Sequence, residues 1–157
     1  MLRPSPGSDR ARVIGLLDAF QAAERVGVEA VGRWIVTCED LRLRGGLRVI
    51  RARDRRHAAL AEARLRSLGG IPGARPSPEL AALCGVLADP GVSDRSKLAL
   101  LLGRLPAERE DAPLEELARR AEGDAETQAL LETIVDDERA SVRWLRRMRD
   151  ALEREGT

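Results

Sequence analysis

The stretch Leu43-Arg-Gly-Gly-Leu47-Arg-Val-Ile50-Arg-Ala-Arg-Asp54-Arg-Arg-His57-Ala-Ala-Leu-Ala61 decides how the chain folds. Leu43, Leu47, Ile50, Asp54, His57 and Ala61 follow one another at alternating steps of four and three, the rhythm of a helix face packed in a bundle. Two of these inward positions are not apolar. They hold a carboxylate and the only histidine of the chain, three apart and so on one face. An ionised carboxylate inside a core is costly unless another group compensates its charge. Its partners must come from elsewhere in the sequence.

The preceding segment carries the same rhythm through Val13, Leu17, Phe20, Glu24, Gly27, Val31, Trp34 and Cys38. A first helix is expected from a cap at Ser8 or Asp9 to about Val36. Residues 1–8, rich in Pro, Gly and Ser, are expected as a flexible lead-in to a single helical domain over 9–155. Thr37-Cys-Glu-Asp40 is a link short enough to make the first two helices antiparallel neighbours, with Asp40 as cap of the second. Glu24 lies 12 residues before Val36 and Asp54 lies 13 after Leu41. At a rise of about 1.5 Å per residue the two acids share one depth within about a turn. Gly45-Gly46 costs about 1 kcal/mol of helix propensity per residue and is expected to kink the second helix or delay its start.

Leu68 ends that helix at a Gly69-Gly70 stop, and residues 69–77 read as a linker. Pro78 opens a short helix, ended by Asp89-Pro90-Gly91. Ser93 or Asp94 caps another, with Leu98, Leu101, Leu102 and Leu105 on its apolar face. Pro106 to Pro113 interrupts it, and Leu114 to Ala121 makes one more short piece. After Gly123, Asp124 caps a last helix running to about Leu152 or Glu155. Its seam, Ile134-x-x-x-Glu138-x-x-Ser141-x-x-x-Leu145, repeats the phase of Ile50-x-x-x-Asp54-x-x-His57-x-x-x-Ala61. A crossover that makes these two helices antiparallel brings Glu24, Asp54 and Glu138 to one point.

The bulk composition agrees with an all-α domain of 157 residues, large enough for one core. A net charge of +1 argues against a dedicated polyanion binder. Lys97 is the single lysine among 27 basic residues, a bias read as codon usage before function. No apolar run approaches a membrane span and no signal peptide is evident, so a cytoplasmic protein is expected. Cys38 and Cys84 fit no metal-ligand spacing and are expected as small buried residues of a reducing compartment rather than as a disulfide.

A Glu on helix one, acid-x-x-His on helix two and acid-x-x-(His) on the last helix resembles the ligand pattern of ferritin-like bundles such as rubrerythrins and bacterioferritins. The local wording is similar too: Ala-Glu24, Arg-Asp54-Arg-Arg-His57-Ala and Asp-Asp-Glu138-Arg-Ala-Ser141-Val-Arg-Trp. The resemblance covers three of four bundle helices. It implies a ferritin-like four-helix bundle with a broken third helix and extra short helices in its crossover. It also implies metal ligation by Glu24, Asp54, His57 and Glu138. Ser141 departs from the pattern, standing where the second histidine would be. The third-helix carboxylate is missing, since residues 96–105 contain no acid; Glu108, Glu110, Glu115 or Glu116 would have to supply it. A dinuclear site takes about six protein ligands. Four ligands imply at most one Fe, Mn or Zn ion, and argue against di-iron turnover.

Two other readings stand beside this one. In the first, the metal is lost and the chain is a helical interaction module. Arg25, Arg53 or Arg64, protonated His57, or protonation of the acids themselves would then compensate the charge. In the second, Arg42 to Arg56 contacts nucleic acid, for which a salt-dependent retention on DNA is the minimum requirement; a solvated, salt-bridged face is the simpler account. Trp34 and Trp144, and the stripes Leu80–Leu87 and Leu98–Leu105, read as core. Either stripe could serve instead as a dimer face, so a homodimer or other protein partner is expected.

Overall fold

The computed structural model describes residues 6–104, 118, 119, 121 and 124–155. Among them are five helices and no strands: α1 (Pro6–Thr37), α2 (Leu41–Ser67), α3 (Pro78–Ala88), α4 (Asp94–Gly103) and α5 (Ala125–Glu155). None is long and apolar enough to cross a membrane.

The helix ends follow local chemistry. Asp40 caps α2 as expected, its Oδ1 accepting the N–H groups of Arg42 and Leu43 at 2.9 Å. At the other end Gly69 takes φ +79°, and the N–H groups of Gly69 and Gly70 return to the carbonyls of Arg66 and Leu65. That is a Schellman stop, which favours glycine at the left-handed position. Ser77 and Ser93 cap α3 and α4. Asp124 precedes α5 and accepts from the Thr127 N–H and hydroxyl. α1 differs from expectation by starting at Pro6, ahead of Ser8 and Asp9; proline suits a first turn, where its missing N–H has no intrahelical role.

Long-range contacts set the directions. The Arg10 guanidinium donates to the Leu68 carbonyl, so α2 ends beside the start of α1. Arg42 pairs with Glu155, and Arg64 with Asp124 and Glu126, tying opposite ends of α2 to opposite ends of α5. α2 is therefore antiparallel to both α1 and α5. Asp94, at the start of α4, accepts the Trp34 indole N–H at 2.7 Å and the Glu39 N–H at 3.0 Å. Residues 69–93 thus carry the chain from one end of the bundle to the other, with α3 packed on α1 along the way. α4, ten residues long, then packs on α5.

The apolar interior is two clusters. One gathers Trp34, Leu43, Leu47, Ile50, Leu87, Leu98 and Leu145 with their neighbours; the other gathers Val13, Leu17, Ala61, Leu65, Leu131 and Ile134. Leu83, Cys84 and Leu87 of α3 and Leu98 and Leu102 of α4 are buried, so both stripes serve the core. Leu105, the piece from Leu114 to Leu117, and Glu108, Glu110, Glu115 and Glu116 lie outside the described residues. Lys97 is buried with its ammonium 5.7 Å from the centre of the Trp34 ring, and burial lowers its pKa. Both cysteines are free and buried.

Gly45-Gly46 neither breaks nor delays α2, which runs unbroken from Leu41. The pair has a tertiary cause instead. The Trp144 ring of α5 lies against Gly46, where a Cβ would overlap it, whereas a Cβ at Gly45 would meet nothing. Gly45→Ala is expected to stabilise the fold by up to about 1 kcal/mol through helix propensity. Gly46→Ala is expected to destabilise it by about 1 kcal/mol net, an overpacking cost of about 2 less that gain. Urea denaturation of the two variants checks the opposite signs; equal effects would mean that Trp144 does not require the glycine.

Candidate metal centre

Between the two apolar clusters lies a polar layer. α1 contributes Glu24, α2 contributes Asp54 and His57, and α5 contributes Glu138. One ligand atom from each falls within 4.8 Å of all the others. The four residues that the heptad phases single out are therefore together in space. They meet because α1 and α5 both run against α2, and the arginine ties at either end hold α2 and α5 in register.

The histidine organises the layer. Its side chain is 2% exposed. Nε2 lies 2.9 Å from Oδ2 of Asp137. Nδ1 faces Glu138 Oε1 at 3.5 Å and Glu24 Oε2 at 3.8 Å. Asp137 was not among the residues expected from the sequence. It is three residues after Ile134, on the α2 side of the seam, and a heptad reading that assigns one residue per step passes over it in favour of its neighbour Glu138. The signal was there in the doubled acid, Asp137-Glu138.

Electrostatics follow from crowding acids in a largely buried layer. Burial raises the pKa of Glu24. Burial, then the charges of Glu24 and Glu138, push Asp54 up to about 8. Burial alone would lower the pKa of His57, but the carboxylates of Glu138, Glu24 and Asp137 that face its ring nitrogens outweigh it and raise the value to about 10. At neutral pH without a metal, an imidazolium and a protonated Asp54 reduce the negative charge of the layer.

The arginines expected to do this work are mostly elsewhere. Arg25 pairs with Glu62 across the α1–α2 groove. Arg64 is taken by Asp124, Glu126 and the Thr127 hydroxyl. A long, flexible side chain pairs with whichever acid the packing of the helices brings within reach, here Glu62, Asp124 and Glu126. Only Arg53 stands near the layer, its Nε 3.9 Å from Asp137 Oδ1. Other arginines of the Arg42–Arg56 run also bind within the fold: Arg42 to Glu155 and Asp40, Arg44 to the Cys38 carbonyl, Arg51 to the Val28 carbonyl.

The donor set suits one cation. Glu24 Oε2, His57 Nδ1 and Ser141 Oγ are buried without hydrogen-bond partners. Tetrahedral ligands about 2.1 Å from a shared centre stand about 3.4 Å apart, close to the 3.5 and 3.8 Å between Nδ1 and the two glutamate oxygens. With Nε2–H donated to Asp137, the neutral imidazole offers its Nδ1 lone pair toward the acids, the carboxylate–histidine arrangement that orients a metal-ligating imidazole. Two ions do not fit the described residues. Ser141 offers a hydroxyl only, and no acid on α4 belongs to the cluster.

No model of a known protein family, no curated protein and no solved structure matches the chain.

Asp54 and His57 both hold their protons more tightly folded than unfolded. Their stabilising contribution is fully present below the ordinary values of 3.8 and 6.5, and is lost as pH climbs through about 8 and about 10. Asp40 and Asp124, held down at about 2, act in the opposite sense but only in strong acid. In chelator, the thermal midpoint is expected to fall steadily from pH 5 to pH 9, and Asp54→Asn to flatten the lower part of that slope. A midpoint that rises with pH would contradict the assignment.

Proposed function

We propose that this chain is a ferritin-like bundle, akin to rubrerythrins and bacterioferritins, that holds a single Fe, Mn or Zn ion between Glu24, Asp54, His57 and Glu138. The observation that carries this reading is the histidine: Nδ1 is buried, lacks a hydrogen bond and faces two carboxylates, while Nε2 is bound by Asp137. The chain direction supports it. Two antiparallel long helices, a crossover bearing α3, a returning α4 and a final long α5 follow the order of a four-helix bundle with one long crossover.

Three carboxylates and one imidazole make a hard, anionic cage for a divalent cation. Ferroxidase turnover and oxygen activation need a second iron, for which the described residues offer no further ligand group. The role that remains is binding: a storage-related or one-electron site in a reducing cytoplasm, in a homodimer or with another protein partner. A second reading, a metal-free helical interaction module, is favoured by the raised pKa values. Proton uptake by Asp54 and His57 reduces the negative charge of the layer without an ion.

Elemental analysis of protein from metal-supplemented cells decides between them. One equivalent of Fe, Mn or Zn is expected, and less than roughly a tenth of an equivalent removes the metal reading. His57→Ala is expected to abolish occupancy and, with it, the metal-dependent gain in stability, about 2.7 kcal/mol at a hundredfold excess over Kd and read as a rise in thermal midpoint. Asp137→Asn is expected to weaken binding about 10- to 100-fold while leaving one site. If the chain is metal-free by nature, His57→Ala alters stability alone.

A further inference from the structure

Four buried side-chain atoms among the described residues have no hydrogen-bond partner: Glu24 Oε2, His57 Nδ1, Ser141 Oγ and Gln21 Oε1. An unpaired polar atom inside a core is costly, and in a native fold it marks strain or a group that comes to meet it. Two of the four belong to the proposed ligands. Ser141 belongs to none of them, yet it is only 4% exposed.

A serine or threonine within a helix commonly turns its hydroxyl back to a carbonyl of the preceding turn. Thr133 does so with the Ala129 carbonyl at 3.0 Å, Ser67 with the Arg64 carbonyl at 2.8 Å and Thr37 with the Trp34 carbonyl at 3.3 Å. Ser141 makes no such bond, so its Oγ is turned away from its own backbone and into the interior. Register says what it meets there. His57 faces Asp137 and Glu138 across antiparallel helices. Three residues on from Glu138, about 4.5 Å along the axis, Ser141 stands level with Asp54, which lies three residues back from His57. It shares the inward face of Glu138. Serine and aspartate at one level do not bond each other directly. Gln21 lies one turn from Glu24 in the opposite direction, away from Asp54, because α1 also runs against α2. Its amide is fixed by Nε2 donating to Asp18 at 2.9 Å.

We propose that Ser141 is the fifth donor of the metal centre and tunes which ion it holds. Its hydroxyl oxygen meets the cation from the α5 side, at the level of Asp54. The inference rests on the single-metal reading above. Zn2+ is satisfied by four ligands in a tetrahedron, whereas Mn2+ takes a larger, oxygen-rich set. A neutral oxygen added to three carboxylates and an imidazole therefore narrows the lead in affinity that zinc holds over manganese at a given site.

Affinities of the full metal-free chain for Mn2+ and Zn2+ test it. The first is read from the electron paramagnetic resonance signal of free Mn2+, the second by competition with a chromophoric chelator. Ser141→Ala is expected to weaken Mn2+ binding about tenfold and to change Zn2+ binding by less than about twofold. Gln21→Met, which removes the unpaired acceptor on the far side, is expected to leave the ratio of the two affinities unchanged. Ser141→Cys loaded with Co2+ is expected to gain a near-ultraviolet thiolate-to-metal charge-transfer band that the unsubstituted chain lacks, because a thiolate within reach of the ion binds it. A ratio unchanged in Ser141→Ala, or shifted as much by Gln21→Met, overturns the fifth donor while leaving the site standing. So does a Co2+-loaded Ser141→Cys chain without the band. Failure of the unsubstituted chain to bind either Mn2+ or Zn2+ refutes the site itself and the fifth donor with it.

Discussion

A buried imidazole shared among carboxylates is the constraint on which the structure turns. His57 lies 2.9 Å from Asp137, 3.5 Å from Glu138 and 3.8 Å from Glu24, with Asp54 beside them. Four ionised acids around one histidine in a largely buried layer repel one another unless a positive charge offsets them. A proton on the ring and another on Asp54 offset part of that charge in one state of the molecule; a divalent cation would do so in the other. The same geometry serves both, because oxygen atoms aimed at an imidazolium are also aimed at an ion seated beside its lone pair.

The layer survives because apolar packing on either side holds it in place. Leu43, Leu47, Ile50 and Leu98 close one side and Leu17, Leu65, Leu131 and Ile134 the other. A slip of one helical turn between α2 and α5 would move Glu138 about 5.4 Å along the axis and separate it from His57. The pairs at the two ends of that interface, Arg42 with Glu155 and Arg64 with Asp124 and Glu126, oppose such a slip from both directions. Exposed ion pairs contribute little to stability, but here their placement fixes alignment. The Trp144 ring against Gly46 adds a steric stop between them.

Much of this could be read along the chain because a heptad phase is a local property. Counting from the short link at residues 38–40 was enough to place Glu24 opposite the Asp54–His57 turn, and the matching phase around Ile134 was enough to add Glu138. The serines, Asp40 and the Gly69-Gly70 pair announced their helix ends by chemistry confined to a few residues. Side-chain partners across the bundle were not legible in this way. Arg25 and Arg64 were plausible counter-charges by sequence proximity, yet their reach includes several acids, and the nearest ones, Glu62 and Asp124, are set by how helices meet. Gly46 looked like a flaw in a helix until the indole of the last helix was seen lying on it.

Periodicity and capping, then, determined from the sequence alone that the chain is all-helical and that four polar side chains lie on inward faces, since both depend on neighbours within about a turn. Tertiary structure alone decided that those side chains meet. It also decided that Asp137 rather than an arginine holds the far nitrogen of His57, and that the side chains of Asp137 and Glu138 stay partly exposed. Each of these depends on the relative rotation and register of separate helices, quantities that arise from packing whole faces together and are written in no single stretch of the chain.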